Sequence, residues 1–326
     1  MMKTILIITN KEDITVDFIV RELQHRGIPY YRMNTEDIPD RISINFNLNS
    51  NELVLIDKVK EKKINLLDFD SVYFRRPLLN NLDYIQGINF QEQDYLKSEL
   101  AFILEGIYKA LRNKYWLNNI YKIREAENKI YQLQIAREIG FEIPLSYISN
   151  QSKQIKELQE ICNNNCIVKP IKSGNIKDLK NSKAIFTTKL KREQFANVEG
   201  IESFPLFIQE NIRKQFDLRI TVLADEVYTA QIHSQISKDS EIDWRRGNRI
   251  LEHRPHDLPI KIKNMCISLT QQMGLNYSAI DMVLDENGNY IFLEINPNGQ
   301  WAWIEKRLGF PLSKKIVELL VGEGRV

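Results

Sequence analysis

The sequence predicts an α/β (α+β) protein, and three observations carry that expectation. A buried strand, an amphipathic helix and a second strand follow one another over Thr4–Met33, the βαβ order that builds a parallel sheet. Beyond it, short apolar runs keep alternating with helical periodicities. Near the end, Asn287-Gly288 joins two apolar runs, a strong hairpin signal and hence a sign of antiparallel pairing.

Each element has its own local reason. Thr4–Ile8 is an apolar run short enough for a buried strand. Ile14, Phe18, Ile19 and Leu23 recur at helical spacing and stop at Gly27, a helix terminator. Pro29–Met33 is the next strand. Ile42, Ile44, Phe46 and Leu48 alternate with polar residues, and Asn49-Ser50-Asn51 turns the chain into Leu53–Ile56, a hairpin. Val72–Arg75 is a strand ending before Pro77, and Leu96 to Leu111 mark a long amphipathic helix. A boundary falls near Asn113–Asn119, giving domains at 1–115, 116–204 and 205–326. The middle segment holds a helix through Lys129, Leu133 and Ala136 closed by Gly140, then strand Leu145–Ser149, a helix from Ser152, strand Cys166–Lys169, a polar loop at Ser173-Gly174-Asn175 and strand Ala184–Thr188. The last segment holds strands Leu206–Glu210, Leu218–Leu223 and Val227–His233, a long loop over Ser234–Pro255, a helix ending at Met273-Gly274, the hairpin Ser278–Leu284/Tyr290–Ile295 and helix Leu312–Leu320. Loops as long as Ser234–Pro255 are usually functional or disordered.

Composition excludes several classes. The chain has 326 residues, room for two or three domains. Lys plus Arg is 45 against 43 Asp plus Glu, a net charge of +2, without the basic surplus of a nucleic-acid or anionic-membrane binder. The longest uncharged run, Asn264–Ile280, contains Asn, Ser, Thr and Gln, so no membrane span is expected. The apolar run Ile5–Ile8 is too short for a signal-peptide core. Cys162, Cys166 and Cys266, with four His in the chain, form neither a disulfide framework nor a zinc spacing. A reducing cytoplasm is the expected setting.

The residues with chemistry cluster towards the C-terminal half. On the final hairpin, Asp281 and Glu294 can face each other across the ladder. Glu294 and Asn296, two apart, share a face. Two carboxylates and an amide oxygen suit magnesium; they also suit two solvated carboxylates beside a loop-starting Asn. Lys129 starts a helix, and Lys169 ends an apolar strand before Pro170, where each can meet phosphate or simply face water. Phe207 to Ile212 is an apolar strand ending in a polar hinge, whose backbone could read an adenine edge. Asp217 and Arg219 lie on one strand face, as site residues or as an ion pair. Arg75, Arg76, Arg245 and Arg246 are candidates for gripping an acidic peptide, the alternative being surface or interdomain ion pairs. His233, His253 and His256 could supply a base or be loop histidines. Trp244, Trp301 and Trp303 read as packing residues, and Lys58, Lys60, Lys62 and Lys63 as a solvated face.

In this order the residues resemble the ATP-grasp carboxylate–amine/alcohol ligases across roughly Asn119–Leu320: Lys129, Lys169-Pro170, Gln209-Glu210-Asn211-Ile212, Asp217-Leu218-Arg219, Ile280-Asp281 and Phe292-Leu293-Glu294-Ile295-Asn296. Tyr73-Phe74-Arg75-Arg76-Pro77, His233-Ser234-Gln235, Asp243-Trp244-Arg245-Arg246 and Asn296-Pro297-Asn298-Gly299-Gln300-Trp301 are similar, more narrowly, to graspetide synthetases, the microviridin-type cyclases of ribosomal peptides. The resemblance implies an ATP-grasp fold with an N-terminal parallel-sheet pre-ATP-grasp domain, a central α/β domain and a C-terminal antiparallel-sheet domain. It implies ATP and Mg²⁺, as two ions, as cofactors. Lys129 and Lys169 would hold phosphates, with Lys169 and Arg219 catalytic. Gln209, Glu210, Asn211 and Ile212 would line the adenine and Asp217 the ribose. Ser173 and Gly174 would belong to a phosphate-covering loop, and Asp281, Glu294 and Asn296 would bind the metal. Arg75, Arg76, His233, Arg245 and Arg246 are the substrate candidates. The implied partner is a ribosomal precursor peptide with a leader and an acidic core, the leader docking near Ala184–Phe195, where Lys183, Lys189, Lys191 and Arg192 stand. A homodimer is implied, and neither nucleic acid nor membrane. Two competing functions stay open: a ligase adding a free amino acid to a peptide or small acid, and an ATP-binding regulator without turnover.

Overall fold

A computed structural model describes residues 2–79, 82, 85–172, 174–177, 182–190, 202–247 and 251–323. They form two compact units, Met1–Tyr121 with Gln300–Val326, and Lys122–Gly299. The packing groups Gln300–Val326 with the N-terminal residues, whereas the sequence division carries them with 205–326. Helical periodicity shows which face of a helix is buried, not which sheet covers it.

The first unit is built on β1 (Ile5–Thr9), whose Ile5 to Ile8 are fully buried. Helix α1 (Ile14–His25) follows, with Asp13 capping its N-terminus, then β2 (Tyr30–Asn34). An antiparallel three-stranded sheet comes next: β3 (Ile42–Asn47), β4 (Glu52–Asp57) and β5 (Lys62–Asn65). The third strand lies in the lysine run read as a solvated face, because Lys62 and Lys63 are exposed and only Ile64 turns inward. Strand β6 (Ser71–Phe74), helix α2 (Phe90–Ala110) and β7 (Tyr115–Trp116) complete a parallel sheet of order β2-β1-β6-β7. In the returning segment, Trp301 is fully buried, its Nε1 donating to the Tyr73 hydroxyl at 3.3 Å, which is a packing role.

The second unit opens with α3 (Ile120–Ala126), which starts just inside the first, and α4 (Lys129–Ile139), closed by Gly140 in the left-handed conformation. One antiparallel sheet has the order β12-β9-β13-β8, with β8 Ser146–Ser149, β9 Cys166–Lys169, β12 Thr188–Lys189 and β13 Leu206–Glu210. Helix α5 (Ser152–Ile161) covers it through Ile155 and Leu158. Gly174 and Asn175, read as loop, begin β10 (Gly174–Lys177), which pairs with β11 (Ser182–Ile185). The expected single strand Ala184–Thr188 is therefore divided between β11 and β12. Ser173, Lys191 and Arg192 lie outside the described residues.

The second antiparallel sheet has the order β16-β15-β14-β17-β18: β14 Lys214–Leu223, β15 Glu226–Ile232, β16 His253–Pro255, β17 Tyr277–Asp285 and β18 Tyr290–Asn296. The expected loop Ser234–Pro255 thus holds a strand at its end and short 3₁₀ turns at Ser234–Ile236 and Trp244–Arg246. On β14, Leu218, Ile220 and Val222 enter a core with Met265 and Leu269 of α6 (Ile260–Gln272). The intervening Asp217 and Arg219, also buried, face the other way. Helices α7 (Ala302–Leu308) and α8 (Leu312–Val321) close the chain. Among the described residues no helix is long and apolar enough to cross a membrane.

Candidate active site

A cavity of about 700 Å³ opens in the second unit. Three adjacent strands underlie it. Arg219 of β14 stands opposite Asp281 of β17, and Asp281 opposite Glu294 of β18, so one row of side chains crosses the sheet. Arg219 Nη1 donates to both Asp281 oxygens, at 2.9 and 2.8 Å. Lys129 Nζ meets Glu294 Oε2 at 3.1 Å and donates to the Pro170 carbonyl at 3.0 Å. A cation at a helix N-terminus opposes the macrodipole at a cost of about 0.3–1 kcal/mol. Here Glu294 and Pro170 hold it there.

Lys169, Lys214 and Arg245 join Lys129 around the cavity. Lys214 pairs with the buried Asp217 at 2.8 Å, and Asp217 also accepts from the Ser234 hydroxyl. Burial pushes the Asp217 carboxyl up. Arg245 forks onto Asp243 at 2.7 and 2.6 Å. Burial and then its like-charged neighbours Lys129, Lys214 and Arg245 bring Lys169 down to about 8, against the pull of Glu294. Burial would raise Glu294, but Lys129, Lys169 and Arg245 outweigh it and hold the carboxyl at about 2. Asp281 is pushed up by burial, with Glu294 adding repulsion and Arg219 opposing.

These groups fit a polyphosphate with a divalent cation. Four cationic side chains converge on one cavity and repel one another, which a polyanion relieves. Asp281 and Glu294 repel as well, which a cation relieves. Among the described residues no three His, Cys, Asp or Glu side chains gather as a metal site; the set here is two carboxylates and the Asn296 amide. At the other wall Gln209 is fully buried, its Nε2 donating to Ser146 Oγ at 2.8 Å while Oε1 has no partner among the described residues. The next turn is clamped by Asn165, which donates to the Asn211 carbonyl at 2.7 Å and accepts from Asn211 Nδ2 at 3.1 Å.

Of the residues named from sequence, the structure brings Lys129, Lys169, Gln209, Glu210, Asn211, Ile212, Asp217, Arg245, Asp281, Glu294 and Asn296 to this cavity. Arg219 stands behind Asp281 rather than in the wall. Arg246 turns away from its neighbour, stacking on Phe186 at 5.0 Å and donating to the Thr187 carbonyl. His233 contacts Gln231 and Phe216 instead of the cavity. Arg75 is 1 % exposed and paired with Asp13 at 2.9 Å inside the first unit, where the Arg76 carbonyl accepts from Asn10. Sequence reading missed Lys214 and Gln132, and named Asp243 within the segment Asp243–Arg246 without giving it a role. For Gln132 a signal existed: a polar residue on the stripe Gln132-Ala136 that α4 buries.

A RimK-like ATP-grasp domain profile matches residues 126–320. The chain belongs to the RimK-like ATP-grasp family. An MvdD pre-ATP-grasp domain profile matches residues 4–124. Among solved structures, macrocyclase MdnC bound with precursor peptide MdnA, from Microcystis aeruginosa, is 29 % identical at a TM-score of 0.87, covering 98 % of this chain and 100 % of that one. A Chryseobacterium gregarium RiPP-associated ATP-grasp ligase, in complex with ADP and a leader and core peptide, is 27 % identical at a TM-score of 0.89, covering 98 % and 96 %. A probable alpha-L-glutamate ligase of Citrobacter koseri is 23 % identical over 213 residues, 63 % of this chain. The match spans 66 % of that ligase, just under two thirds of its length. ATP-grasp enzymes bind ATP or ADP with magnesium, in keeping with the charges around the cavity.

The low pKa of Lys169 leads to a prediction. Affinity for ADP should fall as pH rises through about 8, well before an ordinary lysine discharges. Without nucleotide the sign reverses. The folded-state pKa lies below the unfolded one, so this group opposes folding fully below about pH 8 and ceases to do so at higher pH. Calorimetric titration of ADP from pH 6.5 to 9.5, roughly spanning this transition, should show the inflection in the wild type and not in Lys169→Met.

Proposed function

We propose that the protein is an ATP-dependent peptide macrocyclase. It phosphorylates Asp or Glu side chains of a ribosomal precursor peptide and joins them to Thr or Ser hydroxyls, or to Lys amines, of the same chain. The observation that supports this most is the Arg219–Asp281–Glu294 row, ringed by Lys129, Lys169, Lys214 and Arg245, within a chain similar over 98 % of its length to a macrocyclase bound with its precursor peptide. In the first step a peptide carboxylate oxygen attacks the γ-phosphorus and the bond to ADP breaks, leaving an acyl phosphate. In the second a hydroxyl or amine of the same peptide attacks the acyl carbon and phosphate leaves, so each bond consumes one ATP and removes one water from the peptide.

Each residue then has a task. Lys129 and Lys169 neutralise phosphate charge. Gln209 to Ile212 seat the adenine, and Asp217 meets the ribose. Asp281, Glu294 and Asn296 would hold magnesium, as two ions, which when bound supplies charge neutralisation between the phosphates. Arg219 steadies Asp281 and the transferring group. Arg245 offers its exposed edge to an acidic core residue, and Gly174 would belong to the segment that covers the phosphates. Lys189, on the exposed β12, is positioned for an acidic leader. The division at 1–115, 116–204 and 205–326, a homodimer and a cytoplasmic setting complete the reading.

Incubation with ATP, magnesium and a precursor peptide should give mass losses in multiples of one water, and mild alkali should restore the mass if the rings are esters. The similarity to the Citrobacter ligase favours a second reading, addition of a free amino acid. A mass gain equal to one amino-acid residue would establish that and refute cyclisation. A tethered nucleophile has the advantage, because its effective concentration far exceeds that of a free amino acid.

A further inference from the structure

Lys129 and Gln132 stand three residues apart on one face of α4. Gln132 is 3 % exposed. Its Nε2 donates to the carbonyls of Ala126 at 2.7 Å and Ile295 at 2.8 Å, and its Oε1 accepts from the Ile295 N–H at 3.2 Å. The reverse amide orientation would set its oxygen against two carbonyls, so the pattern fixes the orientation. One side chain thus pairs both backbone groups of a residue on β18, as a neighbouring strand would. β18 is the last strand of its sheet, and β17 occupies one edge only.

Ile295 lies between Glu294 and Asn296. The ladder to β17 slips between Asp281 and Met282, with Glu294 and Phe292 as their partners and Leu293 between them left over. Such a bulge re-aims side chains and loosens the register where it occurs. On the other edge the strand is held at Phe292, whose N–H donates to the Glu142 carbonyl at 2.8 Å, and at Ile295 by Gln132.

We propose that Gln132 is a positioning residue for the metal ligands: by pairing Ile295 it sets the register of Glu294 and Asn296 and ties them to the helical turn that carries Lys129. The proposal rests on the reading of Asp281, Glu294 and Asn296 as magnesium ligands. Loss of the amide leaves a buried N–H and C=O without partners, and the strand moves to find new ones. Ile295 is the pivot, so both flanking ligands move with it. Magnesium demands near-ideal octahedral geometry and tolerates little ligand displacement. The effect therefore falls on magnesium dependence and not on the adenine wall.

The test uses the full chain and two variants. Gln132→Met keeps the volume and removes every bond. Gln132→Glu keeps an acceptor for the Ile295 N–H and removes the donor. ADP binding is followed calorimetrically while Mg²⁺ is varied. The half-saturating Mg²⁺ should rise by about tenfold or more in Gln132→Met, the size of effect seen when a metal ligand loses its supporting hydrogen bond, and by less in Gln132→Glu. ADP affinity in EDTA should stay near wild type in both. A lowered melting temperature with unchanged magnesium dependence would mean a structural role only and overturn the proposal. If Gln132→Met fails to fold, Gln132→Glu decides by the same measure. Unchanged magnesium dependence in Glu294→Gln would instead remove the ligand reading itself, a different failure from that of Gln132.

Discussion

Glu294→Gln should lower peptide-dependent ADP formation by at least about 10²–10³-fold, the scale of removing one preorganised charge-stabilising group. The substitution keeps shape and removes one negative charge. That charge pairs with Lys129 at 3.1 Å and supports protonation of Lys169. On the proposal that Glu294 is a magnesium ligand, its loss weakens magnesium at the phosphates, and it lets Lys169 discharge at still lower pH. A second readout follows: the pH at which ADP affinity falls should move down in the variant. Lys129 keeps its bond to the Pro170 carbonyl at 3.0 Å when the charge at 294 is lost, so the protein should stay folded. A folded variant with near-normal ADP production would sink the assignment of Glu294.

The second large effect is expected at Gly299. A Cβ there would come within 2.6 Å of Arg219 Nη2 and 2.4 Å of Ala279 Cβ, closer than real Cβ contacts come. The Gly299 carbonyl also accepts from the Tyr277 hydroxyl at 2.6 Å, so the backbone is held against the guanidinium. Ala279 is a strand residue of a buried sheet and cannot retreat. Gly299→Ala should therefore displace Arg219 from Asp281, costing about 1–3 kcal/mol of stability as an overpacked site. Turnover should drop by about 10²-fold or more, the cost of an ångström's displacement passed through Arg219 to the Asp281 that it holds. Peptide-dependent phosphate release and a melting curve measure both. Wild-type turnover with only a lower melting temperature would overturn a role for the Arg219–Asp281 pair in turnover.

Much of the fold was legible because its signals are local. Period-2 alternation placed β3, the Asn49-Ser50-Asn51 turn placed β4 after it, an Asn-Gly turn placed the last hairpin, and Gly140 ended α4. The opposition of Asp281 and Glu294 followed from their spacing about that turn, and the ladder has it so. What escaped was non-local or compositionally weak: β5 inside a lysine run, β16 at the end of a long loop, and Gly174 and Asn175 in a strand. A short strand that buries one side chain leaves almost no pattern in sequence.

The site divides in the same way. The types and order of Lys129, Lys169, Asp217, Arg219, Asp281, Glu294 and Asn296 are properties of the chain, and they pointed to a class of chemistry, oxygen ligands for a hard cation and fixed cations for phosphate, that each residue alone left open. Only the tertiary structure decided which like residues share the work. Arg75 and Arg245 look equivalent in sequence, yet one is buried against Asp13 and the other faces the cavity. Adjacent Arg245 and Arg246 point to different partners. Lys214 became the counter-ion of Asp217, and Gln132 the partner of Ile295. The physical reason is that a side chain's chemistry is set by its own atoms, whereas its charge state and direction are set by neighbours far away along the chain, 163 residues apart for Gln132 and Ile295.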